Sequence, residues 1–144
     1  FSPLHSHAVA GLLNRLTAAK QRGLSSTNIW GDGSARRDFL YIEDLIDAML
    51  LICDRRSATG PINIATGQLT SIKDLAQQIA QVVGYTGRLA ADTSFPEGQK
   101  QRIFDMSQLI SLGWRPAHSL SQGLAKTYHW YQQQIAEPTK AQAS

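Results

Sequence analysis

The sequence predicts an α/β fold. Two observations carry this: runs with apolar residues at helical spacing alternate with short β-rich runs bracketed by glycines, and no internal repeat divides the chain. At 144 residues it is long enough to bury a real core, and one domain is the expected organisation. The strands are too few and too short for a full doubly wound sheet, so the chain is expected to be a piece of something larger.

From His7 to Arg22, Val9, Leu12, Leu13 and Leu16 recur at helical spacing and Gly23 offers a stop, which predicts the first helix. "TNIWGDG" reads as a short strand entering a glycine turn, and "DFLYI" as a second β-rich run. The next run places Leu45, Ala48, Met49 and Ile52 on one face, with Glu43 and Asp44 in the first turn, where acids suit the helix dipole. "ATGPINIATGQ" is an alternating segment expected to be a strand. "TSIKDLAQQIAQVVGY" has Ser71 and Asp74 at capping-box spacing, an apolar stripe of Ile72, Leu75, Ile79 and Val82, and Gly84 as its end. "GRLAADT" predicts a further strand and "SFPEGQKQR" a polar loop. "DMSQLISLG" predicts a short helix with Asp105 at its cap and Gly113 at its stop. The last helix starts at Ser119, has Gln122 three residues on, and runs through Leu124, Tyr128 and Tyr131 to about Ile135. Residues 1–137 are therefore expected to form one unit, followed by a disordered tail, 138–144.

Composition narrows the function classes. A hydrophobic fraction of 42% with 17% charged residues is that of a globular chain. The richest apolar run, "LIDAMLLIC", is broken by Asp47 and falls far short of the roughly 20 residues a membrane span needs. The opening "FSPLHSHAVAG" has neither a Met start nor a signal-type core, so the chain is expected to begin within a longer protein. The single cysteine, Cys53, has no partner for a disulfide or a metal, is expected to pack in the core, and fits a reducing cytoplasm. The net charge of +3 is scattered and not grouped in a stripe, which disfavours nucleic acid but leaves room for a small phosphorylated ligand.

Among candidate site residues, "GDG" lacks the third glycine of a dinucleotide fingerprint and no helix follows at once, so it reads as a turn. Arg36 and Arg37 lie between that turn and a strand, placed either as a solvated pair or as a fork for a diphosphate. His5 and His7 precede a helix, and imidazole can take and return a proton near neutrality; surface or capping roles are the alternative. Trp30 suits packing or stacking on a base or sugar, and Glu97, in a Pro-Gly loop, suits solvent or sugar hydroxyls. Neither a zinc set nor a serine-nucleophile elbow is visible. These residues give an anionic-ligand surface and no reaction.

"RRDFLYIEDLIDAM" followed by "INIATG" resembles the C-terminal half of the extended short-chain dehydrogenase/reductase family of nucleotide-sugar epimerases, dehydratases and reductases. "SHAVAGLLNRLTAAK", "SIKDLAQQIAQVVGYTGRLAADTSFPEGQKQRIFDMSQLISLGW" and "SLSQGLAKTYHWYQQ" are similar to its branch that epimerises and reduces a GDP-linked 4-keto sugar. The resemblance implies the C-terminal substrate-binding portion of a Rossmann-type enzyme, with the Rossmann cofactor domain largely absent. It implies NADP(H) in the complete enzyme and none on this fragment, since neither the glycine fingerprint nor the Tyr-x-x-x-Lys set occurs here.

By motif position it implies acid/base work for His7 and nucleotide-sugar contacts for Arg15, Trp30 and Arg37. Glu97 stands where the family has Asp, one methylene shorter, and Arg102 supplies the cation of a family "PRK". Implied partners are a GDP-sugar and a second copy in the complete enzyme, with self-association of the fragment through an apolar face. That face is the Tyr41 to Cys53 helix with the "INIAT" strand, which in the family pack on the cofactor domain. Two alternatives stay open: another epimerase or dehydratase of the family, and a truncated, non-catalytic nucleotide-sugar-binding module.

Overall fold

The computed structural model describes residues 7–55, 60–94 and 99–136. Helix α1, Ala8–Gln21, has His7 as its N-cap and buries Leu12, Leu13 and Leu16. Helix α3, Ile72–Val83, begins where the Ser71 side chain accepts the Asp74 N–H and ends at Gly84, whose left-handed conformation no Cβ opposes. Helix α5, Leu120–Ala136, opens with a reciprocal cap: the Gln122 side chain accepts the Ser119 N–H at 2.8 Å, and the Ser119 hydroxyl accepts the Gln122 N–H at 3.3 Å. These three helices share the main core, with Leu75, Ile79, Leu124 and Tyr128 among its buried members.

Strand β1, Ser26–Trp30, pairs in parallel with β4, Arg88–Asp92, in a register that sets Trp30 opposite Asp92. Strand β2, Arg36–Asp38, pairs antiparallel with β3, Leu69–Ser71. Two of the expected strands therefore fall elsewhere. The "DFLYI" run leaves its ladder at Asp38, because the Asp38 carboxylate turns to accept the backbone N–H groups of Thr66 and Gly67 and the Thr66 hydroxyl. The "INIAT" segment alternates as a strand does but finds no ladder among the described residues, since β2 takes Leu69–Ser71 as its partner instead. An alternating pattern specifies side-chain faces, not a neighbour.

Helix α2, Ile42–Asp54, and the short helix α4, Ser107–Ser111, enclose a second cluster of Ala48, Ala65, Met106, Leu109 and Trp114. The expected inner stripe of α2 is only half right: Ala48 is buried, Leu45 and Ile52 are half-buried, and Met49 faces out. Cys53 is exposed, not packed in the core, because it lies on the same outer stripe as Ile42, Ile46, Met49 and Leu50, apolar residues that are 49–64% exposed. Helical periodicity told that one face of α2 is apolar, but not that little of it is covered. The expected tail, 138–144, lies outside the described residues.

Between β1 and β2 the chain turns at Gly31 and Gly33, both at positive φ, while the Asp32 side chain accepts the Ser34 N–H. A Cβ on Gly33 would sit 3.0 Å from both Ile29 Cδ1 and Lys73 Cβ. Gly33→Ala combines a strained backbone with that crowding, so urea unfolding should show a loss of about 2 kcal/mol. An unchanged midpoint would mean that the turn carries no such constraint.

Candidate functional site

The N-terminal end of α1 forms one wall of a cleft of about 220 Å³, lined by His7, Ala8, Gly11, Leu12, Arg15, Trp30 and Ile72. Positions 7, 11 and 15 follow one another at four-residue steps, which places them along one helical face, with His7 and Arg15 roughly 12 Å apart along the axis. Strand β1 supplies the facing Trp30. Its alternation buries Ile29 against the core and turns Asn28 and Trp30 to the opposite face of the strand.

Arg15 is fixed on two sides. Its Nη1 donates to the Asn28 carbonyl at 2.8 Å, and its guanidinium carbon lies 4.6 Å from the centroid of the Trp30 ring. Burial lowers its pKa from the ordinary value, while the charge of Asp92 works in the other direction. His7 is exposed at the mouth of the helix, and its carbonyl, not its side chain, accepts the first helical hydrogen bond, from Gly11 at 2.9 Å.

The remaining sequence-derived candidates stand apart from this cleft. Arg37, on β2, donates from Nη1 to the Arg36 carbonyl at 2.7 Å and reaches the Lys100 carbonyl at 3.5 Å. Arg102 forks onto the Gln99 side-chain oxygen, with both contacts at 3.3 Å. Both arginines thus meet the segment 99–102, which approaches β2 through the Arg36 N–H on the Lys100 carbonyl. Neither lines the cleft, although Arg37 lies two residues from Ala35, whose carbonyl accepts the N–H of the cleft residue Ile72. Glu97 lies outside the described residues.

A second polar cluster has no sequence signature. Asp44, 1% exposed, accepts the backbone N–H groups of Ala117 and His118 and bonds His118 Nδ1 at 2.8 Å. A carboxylate only accepts, so Nδ1 carries the proton and Nε2 is left to accept from Lys126 at 3.0 Å. Lys126 also pairs with Glu43 at 2.8 Å, and the Tyr41 hydroxyl donates to the other Glu43 oxygen. Burial pushes Asp44 upward, but the three bonds from His118 and Ala117 outweigh it and hold the carboxyl below its usual range. With Nε2 occupied by Lys126, this cluster fastens α2 to α5. The partners lie 74 positions apart, and in sequence Asp44 reads only as a first-turn acid.

The Gly31–Gly33 turn does not fit the pyrophosphate of a dinucleotide. The Gly31 N–H is taken by the Asp92 carbonyl and the Ser34 N–H by the Asp32 side chain, and the turn leads into β2 and not into a helix N-terminus. Among the described residues no cluster of His, Cys, Asp and Glu could hold a metal ion, and no helix is long and apolar enough to cross a membrane.

Residues 1–65 match the NAD dependent epimerase/dehydratase family. Over 131 residues, 91% of its length, the chain is 41% identical to GDP-L-fucose synthase 1 of Arabidopsis thaliana. It spans about two fifths of the length of the curated relatives it matches, 41% and 42% for the two Arabidopsis proteins. Of solved structures, a GDP-L-fucose synthetase from Naegleria fowleri superposes with a TM-score of 0.84 at 24% identity, over 94% of this chain and 42% of that one. A GDP-mannoheptose C4 reductase from Campylobacter jejuni with NADP bound gives 0.76 at 28% identity, over 92% of this chain and 46% of that one. The helices and short strands described above are thus the fold of one portion of an extended short-chain dehydrogenase/reductase.

The Asp44 clamp has a defined pH signature. Because the folded carboxyl is held below its ordinary value of 3.8, its contribution to stability is complete above that value and is lost as pH falls through the lower, folded pKa. Asp44→Ala should lower stability near neutrality by about 2–4 kcal/mol in urea unfolding and flatten the decline seen on acidification below about pH 4. Parallel pH profiles for the two proteins would show that another group titrates there.

Proposed function

We propose that this chain, whose homologues are GDP-L-fucose synthases, is the substrate-binding portion of an NADP-dependent epimerase/reductase that converts GDP-4-keto-6-deoxy-D-mannose to GDP-L-fucose. The observation that most supports this reading is the meeting of His7, Arg15 and Trp30 on one cleft, an acid/base group at one end and a held cation with an aromatic face at the other. The two ends are separated by about the reach of a hexose and its attached diphosphate.

In this reading Arg15 receives diphosphate oxygens with the guanidinium N–H groups that Asn28 does not occupy, and Trp30 covers the sugar or base. A proton on a carbon beside the 4-keto group is acidic because its loss gives an enolate, and the His7 imidazole takes that proton or returns one. Arg37 from β2 and Arg102 from the segment beside it, together with Glu97, complete the diphosphate and sugar contacts. NADP(H) serves the complete enzyme in a cytoplasmic setting, and the residues described here act on the sugar nucleotide alone.

A second reading keeps the GDP-linked ligand and changes the sugar. It is favoured by the similarity to the GDP-mannoheptose reductase. A catalytically silent GDP-sugar-binding module is the remaining outcome. The outer stripe of α2 supports a contact surface for the cofactor domain in the complete protein, and through it self-association of the fragment and dimer formation by the whole enzyme remain part of the proposal.

Calorimetry on the 144-residue chain tests the ligand. GDP-mannose should bind at least several-fold more tightly than UDP-glucose, Arg15→Gln should weaken it by about tenfold, and His7→Gln should change it by less than about twofold. Equal binding of both nucleotides by a folded sample would sink the GDP-sugar assignment. For the α2 surface, Ile46→Lys should reduce the sedimentation-measured association of the chain at high concentration, and a variant that associates as the parent does would place the contact elsewhere.

A further inference from the structure

We propose that Asp92 weakens anion binding in the cleft by offsetting the charge of Arg15, so that a bare phosphate compound is held weakly and contact with Trp30 supplies the rest of a ligand's affinity. This rests on the reading of the cleft as a nucleotide-sugar site. Parallel pairing of β1 with β4 puts Asp92 opposite Trp30, and side chains paired in register share a face of the sheet. Asn28, two residues before Trp30, lies on that same face and directs its side-chain amide to Asp92 Oδ2 at 3.4 Å, while its carbonyl holds Arg15. Asp92 Oδ1 is held in turn by the backbone N–H and hydroxyl of Ser94, which fixes the carboxylate at the strand end.

The consequence is a charge arrangement and not only a scaffold. Arg15 is half-buried, so its interactions are less screened than those of a surface arginine. Asp92 attracts it through space, as the opposed effects on the two groups record: Asp92's charge works against the desolvation of Arg15, and Arg15 is one of the groups that keep the Asp92 carboxyl low, after the bonds from Ser94 and Asn28. Asp92 does not itself line the cleft but stands opposite Trp30 and is bonded to the Asn28 side chain, so its charge opposes an anion arriving at the guanidinium and cancels part of the attraction. A ligand carrying a ring gains contact with Trp30 and with the apolar lining of Leu12 and Ile72, which an inorganic anion does not. Repulsion from Asp92 lowers the affinity of either ligand, and only the ring-bearing one has apolar contact to offset it.

The test uses inorganic pyrophosphate and the whole 144-residue chain in calorimetry. Asp92→Asn keeps the oxygen that Ser94 binds and removes the charge. It should bind pyrophosphate roughly fivefold more tightly than the parent in low salt, with the gain falling below about twofold in about 0.3 M salt. Asp92→Glu should return the parent affinity, and adding Arg15→Gln to Asp92→Asn should erase the gain, as a coupling through Arg15 requires. Unchanged or weaker binding by Asp92→Asn, a gain that ignores salt, a gain that survives Arg15→Gln, or no pyrophosphate binding by any of these proteins would overturn the proposal. The GDP against UDP comparison is separate, so a failure of the nucleotide assignment leaves the pyrophosphate result readable.

Discussion

The buried carboxylate of Asp44 is the interaction on which the arrangement of the two halves of this molecule depends. An ionised carboxyl taken out of water is tolerated only when its oxygens are saturated with donors, and here the backbone at Ala117 and His118 and the His118 ring supply them. Those donors lie on the lead into α5, so the bonding requirement of one side chain on α2 dictates where α5 begins. Leu124 and Tyr128 follow on α5 and enter the main core, while Ala48 follows on α2 and enters the second cluster. The charged clamp thus joins two apolar bodies, alongside the Lys126–Glu43 pair and the close approach of Gly123 to Tyr41.

The cleft is organised by a different economy of bonds. Its polar groups and their neighbours are held by backbone: the Asn28 carbonyl holds Arg15, and the Ser94 N–H holds Asp92 opposite Trp30. Paired glycines at Gly31 and Gly33 let the chain reverse immediately after Trp30 without a side chain in the way. Rigid placement of a cation and an aromatic face on a helix and a strand, and not on a loop, is what a site needs to recognise a ligand by shape as well as charge.

Most of the helices were legible because each carries its own punctuation. Ser71 with Asp74 and Gly84 bound α3, and Ser119 with Gln122 opens α5, signals that act within four residues and need no tertiary context. Strand pairing was less legible, since alternation in "INIAT" and in "DFLYI" could not name a partner, and the ladder formed at Leu69–Ser71 instead. For Cys53 and Met49 the sequence marked an apolar face without marking what covers it. At the site, helical spacing alone allows His7 and Arg15 to share a face, but Trp30 joins them only through the packing of β1 on α1, and it was motif resemblance that singled the three out. Asp92 and Asn28 read as an ordinary strand end and a polar strand residue, because their meeting spans 64 positions.

That separation has a kinetic meaning. α1 meets β1 over a short loop, and α3 is continuous with β3, so these contacts can form early from nearby segments. The β1–β4 ladder requires the chain to return from Arg88 to Ser26 before its first hydrogen bond is made, and the loop entropy of that return must be met in advance. The Arg15–Trp30 pair can therefore form before that closure, and Asp92 reaches its place opposite Trp30 only after it, so the charge beside the cleft is set later in folding than the cleft's own wall.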